Sequence, residues 1–137
     1  MKLIKILLVE DNDFDAESAT RKLNYMDVIG KVIHARDGEE AIDYLFQTGE
    51  FENLPDYSKP DMLLLDIMMP KLIGTQVLKK IQEDGSDEIK NIPVIMLTTI
   101  KDNFTNKECF KLGAKGFLVK PIQINHLKDF LISLDLI

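Results

Sequence analysis

The sequence lacks a long apolar run, has a single cysteine and carries more negative than positive charge, and each feature excludes a class of protein. The apolar stretches at 6–9 and 62–65 are far shorter than the roughly 20 residues of a transmembrane helix, so no membrane span is expected. Cys109 has no partner for an intrachain disulfide, which favours a cytoplasmic location. The net charge of −6 argues against nucleic acid and membrane surfaces as partners and leaves proteins or small ligands.

The length of 137 residues is typical of one domain with one hydrophobic core. No repeat or linker divides the chain, and we expect a single domain over residues 1–137. The apolar start resembles a signal peptide only superficially, because Lys5 interrupts it and Glu10 and Asp11 follow without a small-residue cleavage site. The start of the chain is better interpreted as a buried strand.

Short apolar runs alternate with amphipathic helical patterns along the whole chain. The predicted strands are 3–9, 31–35, 62–65, 93–97 and 116–119. The predicted helices are 15–23, a helix capped by Asp37 that carries Ala41, Ile42, Leu45 and Phe46, 72–81 ended by Gly85 and Ser86, 104–112 ended by Gly113, and 124–134. Five such units predict an α/β fold, a doubly wound five-stranded parallel sheet of order 2-1-3-4-5 with five helices.

Polar side chains follow four of the five predicted strands. Glu10 and Asp11 follow the first strand, Asp66 ends the third, Thr98 and Thr99 end the fourth, and Lys120 follows the fifth. Because the carboxyl ends of parallel strands meet at one edge of the sheet, these side chains are expected to share a crevice.

The expected crevice contains three carboxylates and one ammonium group. A hard divalent cation such as Mg²⁺, which prefers oxygen ligands, would relieve the excess of negative charge. A cation beside a carboxylate, with a lysine and a hydroxyl nearby, is suited to phosphoryl transfer in which Asp66 attacks in line. The metal and Lys120 would then balance the charge on the phosphoryl oxygens.

Five short motifs carry a resemblance that spans the chain. They are LVEDN at 8–12, LDIMMP at 65–70 followed by Gly74, MLTT at 96–99, GA at 113–114 and FLVKP at 117–121. In this order and spacing the sequence resembles the receiver domains of two-component response regulators, whose fold is flavodoxin-like and CheY-like. The loop at 48–59 and the pair Thr98 and Thr99 are similar to those of phytochrome-associated single-domain regulators.

The resemblance implies a role for each residue of the crevice. Asp66 is then the phosphoacceptor, Asp11 and the backbone carbonyl of Met68 bind Mg²⁺, and Glu10 lies near the metal. Thr98 contacts the phosphoryl group and Lys120 bridges to it.

Two further features of the family match the fifth strand. Phe117 matches the aromatic switch position, which acts together with Thr98, and the bond between Lys120 and Pro121 matches the family's cis peptide. Family members receive the phosphoryl group from a histidine kinase or phosphotransfer protein. They signal through the face formed by the fourth helix, the fifth strand and the fifth helix. The chain is therefore expected to act as a stand-alone regulator, not as an enzyme on a separate substrate, and to contact a downstream protein or a second copy of itself.

Two positions depart from rapidly dephosphorylating members of the family. Met68 and Ile100 occupy sites that often carry polar groups able to orient water. Thr99 also stands where a smaller residue is frequent. The side chains of Met68 and Ile100 offer no strong hydrogen-bonding group to hold a water molecule, and they predict slow loss of the phosphoryl group.

Other interpretations remain open for the sequence. A phosphatase or dehalogenase-like enzyme expects a second acid where Met68 stands, and a flavodoxin-like electron carrier would not place Glu10 and Asp11 in a phosphate-binding loop. A degenerate receiver that only binds partners would not need Asp66, Thr98 and Lys120. Taken singly, Asp11 could be a helix N-cap.

The remaining residues with reactive side chains have structural interpretations. Cys109 is expected to pack as a small apolar side chain, and Phe117 could also simply pack in the core. His34 and His126 lack the spacing of metal ligands and are expected at the surface or in satisfied hydrogen bonds.

Overall fold

The computed structural model describes residues 2–69, 72–99 and 103–137. Pro70 and Ile100, both used in the sequence analysis, lie outside the described residues, as does the side chain of Phe104. A five-stranded sheet has the order β2-β1-β3-β4-β5, and every neighbouring pair is parallel. The predicted fold and strand order are therefore confirmed. The strands are β1 Ile4–Val9, β2 Ile29–Ala35, β3 Met62–Asp66, β4 Val94–Thr98 and β5 Gly116–Val119.

The helices alternate with the strands, as predicted, and one short helix is additional. The α-helices are α1 Asp13–Tyr25, α2 Gly38–Phe46, α3 Gly74–Asp84, α4 Asp87–Lys90, α5 Asn103–Lys111 and α6 Ile124–Ser133, with a 3₁₀ turn at Gly49–Phe51. The prediction of five helices missed α4. Gly85 does end α3, but Ser86 then accepts a hydrogen bond from the Ile89 N–H at 3.3 Å and caps a new helical turn.

Two apolar layers cover the sheet because successive side chains of each strand point to opposite faces. On β1, Leu7 and Val9 belong to the layer that packs against α2, α3 and α5, while Ile6 and Leu8 belong to the layer against α1 and α6. The central strand β3 is buried along its whole length. This explains why β3 reads in the sequence as a continuous apolar run that ends in Asp66.

Local hydrogen bonds determine where the first two helices begin. Asn12 caps α1 because its side chain accepts a hydrogen bond from the Asp15 N–H at 2.9 Å, so the alternative interpretation of Asp11 as the N-cap is wrong. Asp37 caps α2 as predicted and accepts a hydrogen bond from the Glu40 N–H at 2.8 Å. The α1 cap leaves the Asp11 carboxylate available for another role.

The long segment after α2 is held by an aromatic cluster. The Tyr44 hydroxyl donates a hydrogen bond to the Ser58 carbonyl at 2.8 Å, and its ring lies 5.3 Å from that of Phe51 and 5.1 Å from that of Tyr57. This packing explains how a polar segment keeps a defined path at the end of the sheet opposite the carboxyl ends of the strands. Within the described ranges, no helix has the length and apolar character needed to cross a membrane.

Candidate functional site

The carboxyl ends of the strands line a cavity of about 340 Å³. Its walls come from the loops after β1, β3, β4 and β5 and from the beginning of α1 and α5. The lining residues are Glu10, Asp11, Asn12, Asp15, Asp66, Ile67, Met68, Thr98, Thr99, Thr105, Asn106 and Lys120. The predicted crevice therefore exists, and it contains every carboxylate, hydroxyl and ammonium group that the sequence assigned to it.

Three carboxylates converge in this cavity. Each of Glu10, Asp11 and Asp66 offers an oxygen atom, and these oxygens lie within 4.8 Å of one another. Glu10 and Asp66 are 1% and 5% exposed, whereas Asp11 is open to solvent. Buried like charges at this separation repel each other, so the arrangement is suited to hold a metal ion through hard oxygen ligands.

Lys120 is the cation that faces the carboxylates. Its Nζ lies 3.0 Å from Asp66 Oδ2 and 3.5 Å from Asp15 Oδ2, and it also forms an ion pair with Glu10. The backbone helps to place it, since the Lys120 N–H donates to the Thr98 carbonyl at 2.8 Å. The peptide bond between Lys120 and Pro121 is cis, as predicted.

The burial of these groups changes their proton affinities. The pKa of the Glu10 carboxyl is raised from 4.5 to about 7, mainly by burial and also by the neighbouring Asp66, while hydrogen bonds from Lys120 and the Asn12 backbone act in the opposite direction. Burial lowers the pKa of Lys120, but its contacts with Glu10 and Asp66 outweigh this effect and the net change is upward. Lys120 therefore stays charged in the metal-free site.

Asp66 is fixed by contacts on both carboxylate oxygens. Oδ2 accepts from Lys120, and Oδ1 accepts from the backbone N–H of Met68 at 3.2 Å. The chain then passes close to α3, where a Cβ on Gly74 would lie 2.8 Å from the Asp66 carbonyl oxygen. This close approach explains the glycine that follows the LDIMMP motif. The Met68 side chain is 74% exposed at the mouth of the cavity.

Thr98 and Phe117 lie near each other on the last two strands. Thr98 ends β4 opposite Val119, and Phe117 stands opposite Met96, one side-chain repeat earlier on β5. Phe117 is half-buried, its ring packs edge-on against Phe110 at 5.0 Å, and it is not among the residues that line the cavity.

Three residues of the cavity come from helices and were not predicted from the sequence. Asp15 reaches Lys120 from the first turn of α1, and Thr105 and Asn106 enter from α5. The Asn106 Oδ1 is buried and accepts no hydrogen bond from the described part of the chain. Asp15 lies in the first helical turn after the loop that carries Glu10 and Asp11, and this position was a signal that could have identified it.

Comparison with known proteins identifies several similar proteins. A profile of the response regulator receiver domain matches residues 6–132. The response regulator Rcp1 of Synechocystis sp. (strain PCC 6803) is 35% identical over 124 residues, which cover 90% of this chain and 79% of Rcp1.

Three solved structures are similar over nearly the whole chain. The bacteriophytochrome response regulator AtBRR has a TM-score of 0.85 at 37% identity and covers 100% of this chain and 96% of its own. The phosphorylated cyanobacterial phytochrome response regulator RcpA has a TM-score of 0.77 at 33% identity, covering 97% and 91%. The Mn²⁺-bound form of Rcp1 has a TM-score of 0.76 at 30% identity, covering 96% and 91%.

Proposed function

Because this chain belongs to the response regulator receiver domain family, we propose that it accepts a phosphoryl group on Asp66 and relays a signal by protein contact. The arrangement of Asp66 carries the proposal. Its carboxylate is buried, lies beside two further acids and is bound by the ammonium of Lys120 at 3.0 Å. Such a carboxylate is a nucleophile held in a fixed position next to groups that compensate charge.

A divalent cation, Mg²⁺ in our proposal, completes the site. Glu10, Asp11 and Asp66 would hold it together with the backbone carbonyl of Met68, and the all-oxygen donor set fits this hard ion. The cation would supply electrostatic stabilisation of charge that develops on the phosphoryl oxygens. The similar protein Rcp1 has been solved in an Mn²⁺-bound form, which supports a divalent ion as the metal.

The reaction transfers the phosphoryl group between side chains. A carboxylate oxygen of Asp66 attacks the phosphorus of a phosphohistidine, the phosphorus–nitrogen bond breaks, and the released imidazole takes up a proton. Lys120, already 3.0 Å from Asp66, compensates for the negative charge of the acyl phosphate, and Thr98 donates a hydrogen bond to it. The similar protein RcpA has been solved in a phosphorylated form, which supports phosphoryl transfer to this chain.

Partners follow from the family and from exposed apolar side chains. Receiver domains interact with histidine kinases or phosphotransfer proteins, which would act here as the donor in the cytoplasm. For the output we propose the surface around Phe117 and α6, because Phe110, Val119 and Ile132 are 51%, 40% and 52% exposed on these elements and their neighbour α5. A downstream protein or a second copy of the chain would bind there, and we propose no separate substrate.

Intact-mass analysis after incubation with acetyl phosphate and Mg²⁺ tests the assignment of Asp66. We expect wild type and Asp87→Asn, a matched change at an exposed acid of α4, to gain one phosphoryl group. Asp66→Asn should gain none, and wild type in EDTA should gain none. If Asp66→Asn is phosphorylated as fast as wild type, Asp66 is not the acceptor.

A further inference from the structure

His34 contacts the backbone of the acidic loop from the edge of the sheet. It lies on β2 opposite Leu8, and its Nε2 is 2.8 Å from the backbone carbonyl oxygen of Glu10. A carbonyl oxygen only accepts, so Nε2 must carry the proton and donate this hydrogen bond. The imidazole is thereby committed to one orientation.

The carbonyl that His34 binds belongs to the peptide unit joining Glu10 to Asp11. The register of β1 and β2 ends with Val9 opposite Ala35, and the Glu10 N–H still donates to the Ala35 carbonyl at 3.0 Å. The main chain of β2 therefore holds the N–H of Glu10, and the His34 ring holds its carbonyl. Since Glu10 is only 1% exposed, its carbonyl depends on a donor from the protein.

Holding this carbonyl also orients the next residue. The peptide unit is planar, so the direction of the Glu10 carbonyl sets the direction of the Asp11 N–H and of the bond toward the Asp11 Cα. The Asn12 N–H in turn donates to Glu10 Oε2 at 3.2 Å, so the carboxylate of Glu10 is tied to the same short loop. A rotation of the peptide unit would move both acids relative to Asp66.

We propose that His34 is a positioning residue of the metal centre, which holds the Glu10–Asp11 peptide so that both carboxylates converge with Asp66. The inference rests on the proposed function, because it assumes a divalent ion at these acids. Groups that orient metal ligands through hydrogen bonds typically change metal affinity by about 10- to 100-fold when they are removed. His34 acts through a backbone carbonyl, so we expect the lower end of this range.

Two amide variants separate the hydrogen bond from other effects of the ring. The side-chain nitrogen of glutamine can occupy the position of the histidine Nε2. The asparagine side chain is one methylene shorter, so its nitrogen corresponds to Nδ1 and does not reach the Glu10 carbonyl. His34→Gln therefore keeps the donor and His34→Asn removes it, while both remain polar at a half-buried site. His126→Asn, at an exposed histidine of α6, is the matched control.

Titration with Mn²⁺, followed by the electron paramagnetic resonance signal of the free ion, measures the dissociation constant without phosphorylation. We expect His34→Asn to bind about tenfold more weakly than wild type, and His34→Gln and His126→Asn to stay within about threefold. Thermal unfolding in EDTA reports separately on stability. A His34→Asn variant that is less stable but binds Mn²⁺ like wild type would show a merely structural role and overturn the proposal.

The other outcomes also have defined meanings. Equal weakening in His34→Asn and His34→Gln would overturn the hydrogen bond as the cause. Wild type and Asp11→Asn together test the premise: if wild type binds no Mn²⁺, or Asp11→Asn binds it equally well, the proposed metal site fails and this inference fails with it. If binding is lost in Asp11→Asn and unchanged in His34→Asn, only the role of His34 is rejected.

Discussion

Replacing Lys120 by methionine would remove the cation that both buried carboxylates contact. In the metal-free protein Glu10 and Asp66 would keep their burial and lose their ion pairs with the Lys120 ammonium. Methionine has a similar length and no charge, so the change isolates electrostatics from packing. Removing one partner of a buried ion pair typically costs about 3–5 kcal/mol.

The loss of unfolding free energy should depend on pH, because a buried carboxylate that takes up a proton is no longer an unpaired charge. In wild type the folded-state pKa of Glu10 is raised from 4.5 to about 7, so the folded protein binds more protons than the unfolded chain between these values. The contribution of Glu10 to the unfolding free energy is therefore fully present below pH 4.5 and is lost as the pH rises through about 7. Without Lys120 the pKa rises further, and the decline continues to higher pH.

We accordingly expect Lys120→Met to lose about 3 kcal/mol of unfolding free energy at pH 8 and only about 1 kcal/mol at pH 5.5, where the Glu10 carboxyl is neutral. Urea unfolding in EDTA measures both values. Far-ultraviolet circular dichroism is the suitable signal because the chain contains no tryptophan.

Lys2→Met is the control for loss of a lysine charge. Lys2 pairs with Asp61 at 3.1 Å, but its side chain is 76% exposed, and such pairs contribute about 1 kcal/mol or less. If Lys120→Met loses no more than Lys2→Met at pH 8, or loses equally at the two pH values, the buried carboxylates do not depend on Lys120 and the reasoning is refuted.

Three further predictions concern the core, the thiol and the lifetime of the phosphorylated state. Leu64→Ala should lower the unfolding free energy by about 2–5 kcal/mol, whereas Ile132→Ala at an exposed site should change it by about 0.5 kcal/mol or less; equal effects in urea unfolding would contradict the described core. Cys109 should resist a thiol reagent at pH 8 until urea is added, because burial raises its pKa to about 11; rapid labelling of the native protein would contradict this. Met68→Asn should speed loss of phosphate from Asp66 about tenfold, since the amide can orient water; an unchanged decay after donor removal would exclude that effect.

The strand order was predictable because it depends on few features of the sequence. Short apolar runs identify buried strands, and the alternation with helices restricts the connections to one common order. The ends of the elements were less predictable. Helix α1 begins at Asp13 instead of 15 because Asn12 supplies the cap, and β2 begins at Ile29 instead of 31. Helix α4 was missed because four residues cannot display a helical period.

The residues of the candidate site likewise include some that the sequence predicts and some that it does not. Glu10, Asp66, Thr98 and Lys120 stand at strand ends, so the topology alone brings them to one edge of the sheet. Asp15 could not be found by that rule, because its distance of 3.5 Å from Lys120 depends on how α1 packs on the sheet. The same holds for the contact between His34 and the Glu10 carbonyl, which depends on the rotamer of a side chain at the edge strand.

The position of Lys120 connects stability to function. Its ammonium contacts three carboxylates, so the metal-free cavity keeps an excess of negative charge even when every possible ion pair is made. A cluster of this kind is generally less stable than well-packed apolar residues of similar size, and the rest of β1 and β3 is entirely apolar where it is buried. A buried polar cluster in an otherwise apolar core is expected at a functional site, where binding or chemistry requires the polar groups. The same charges that weaken the metal-free fold would favour a bound cation, and the ammonium that partly neutralises Asp66 would also lie next to a phosphoryl group if Asp66 is the acceptor that we propose.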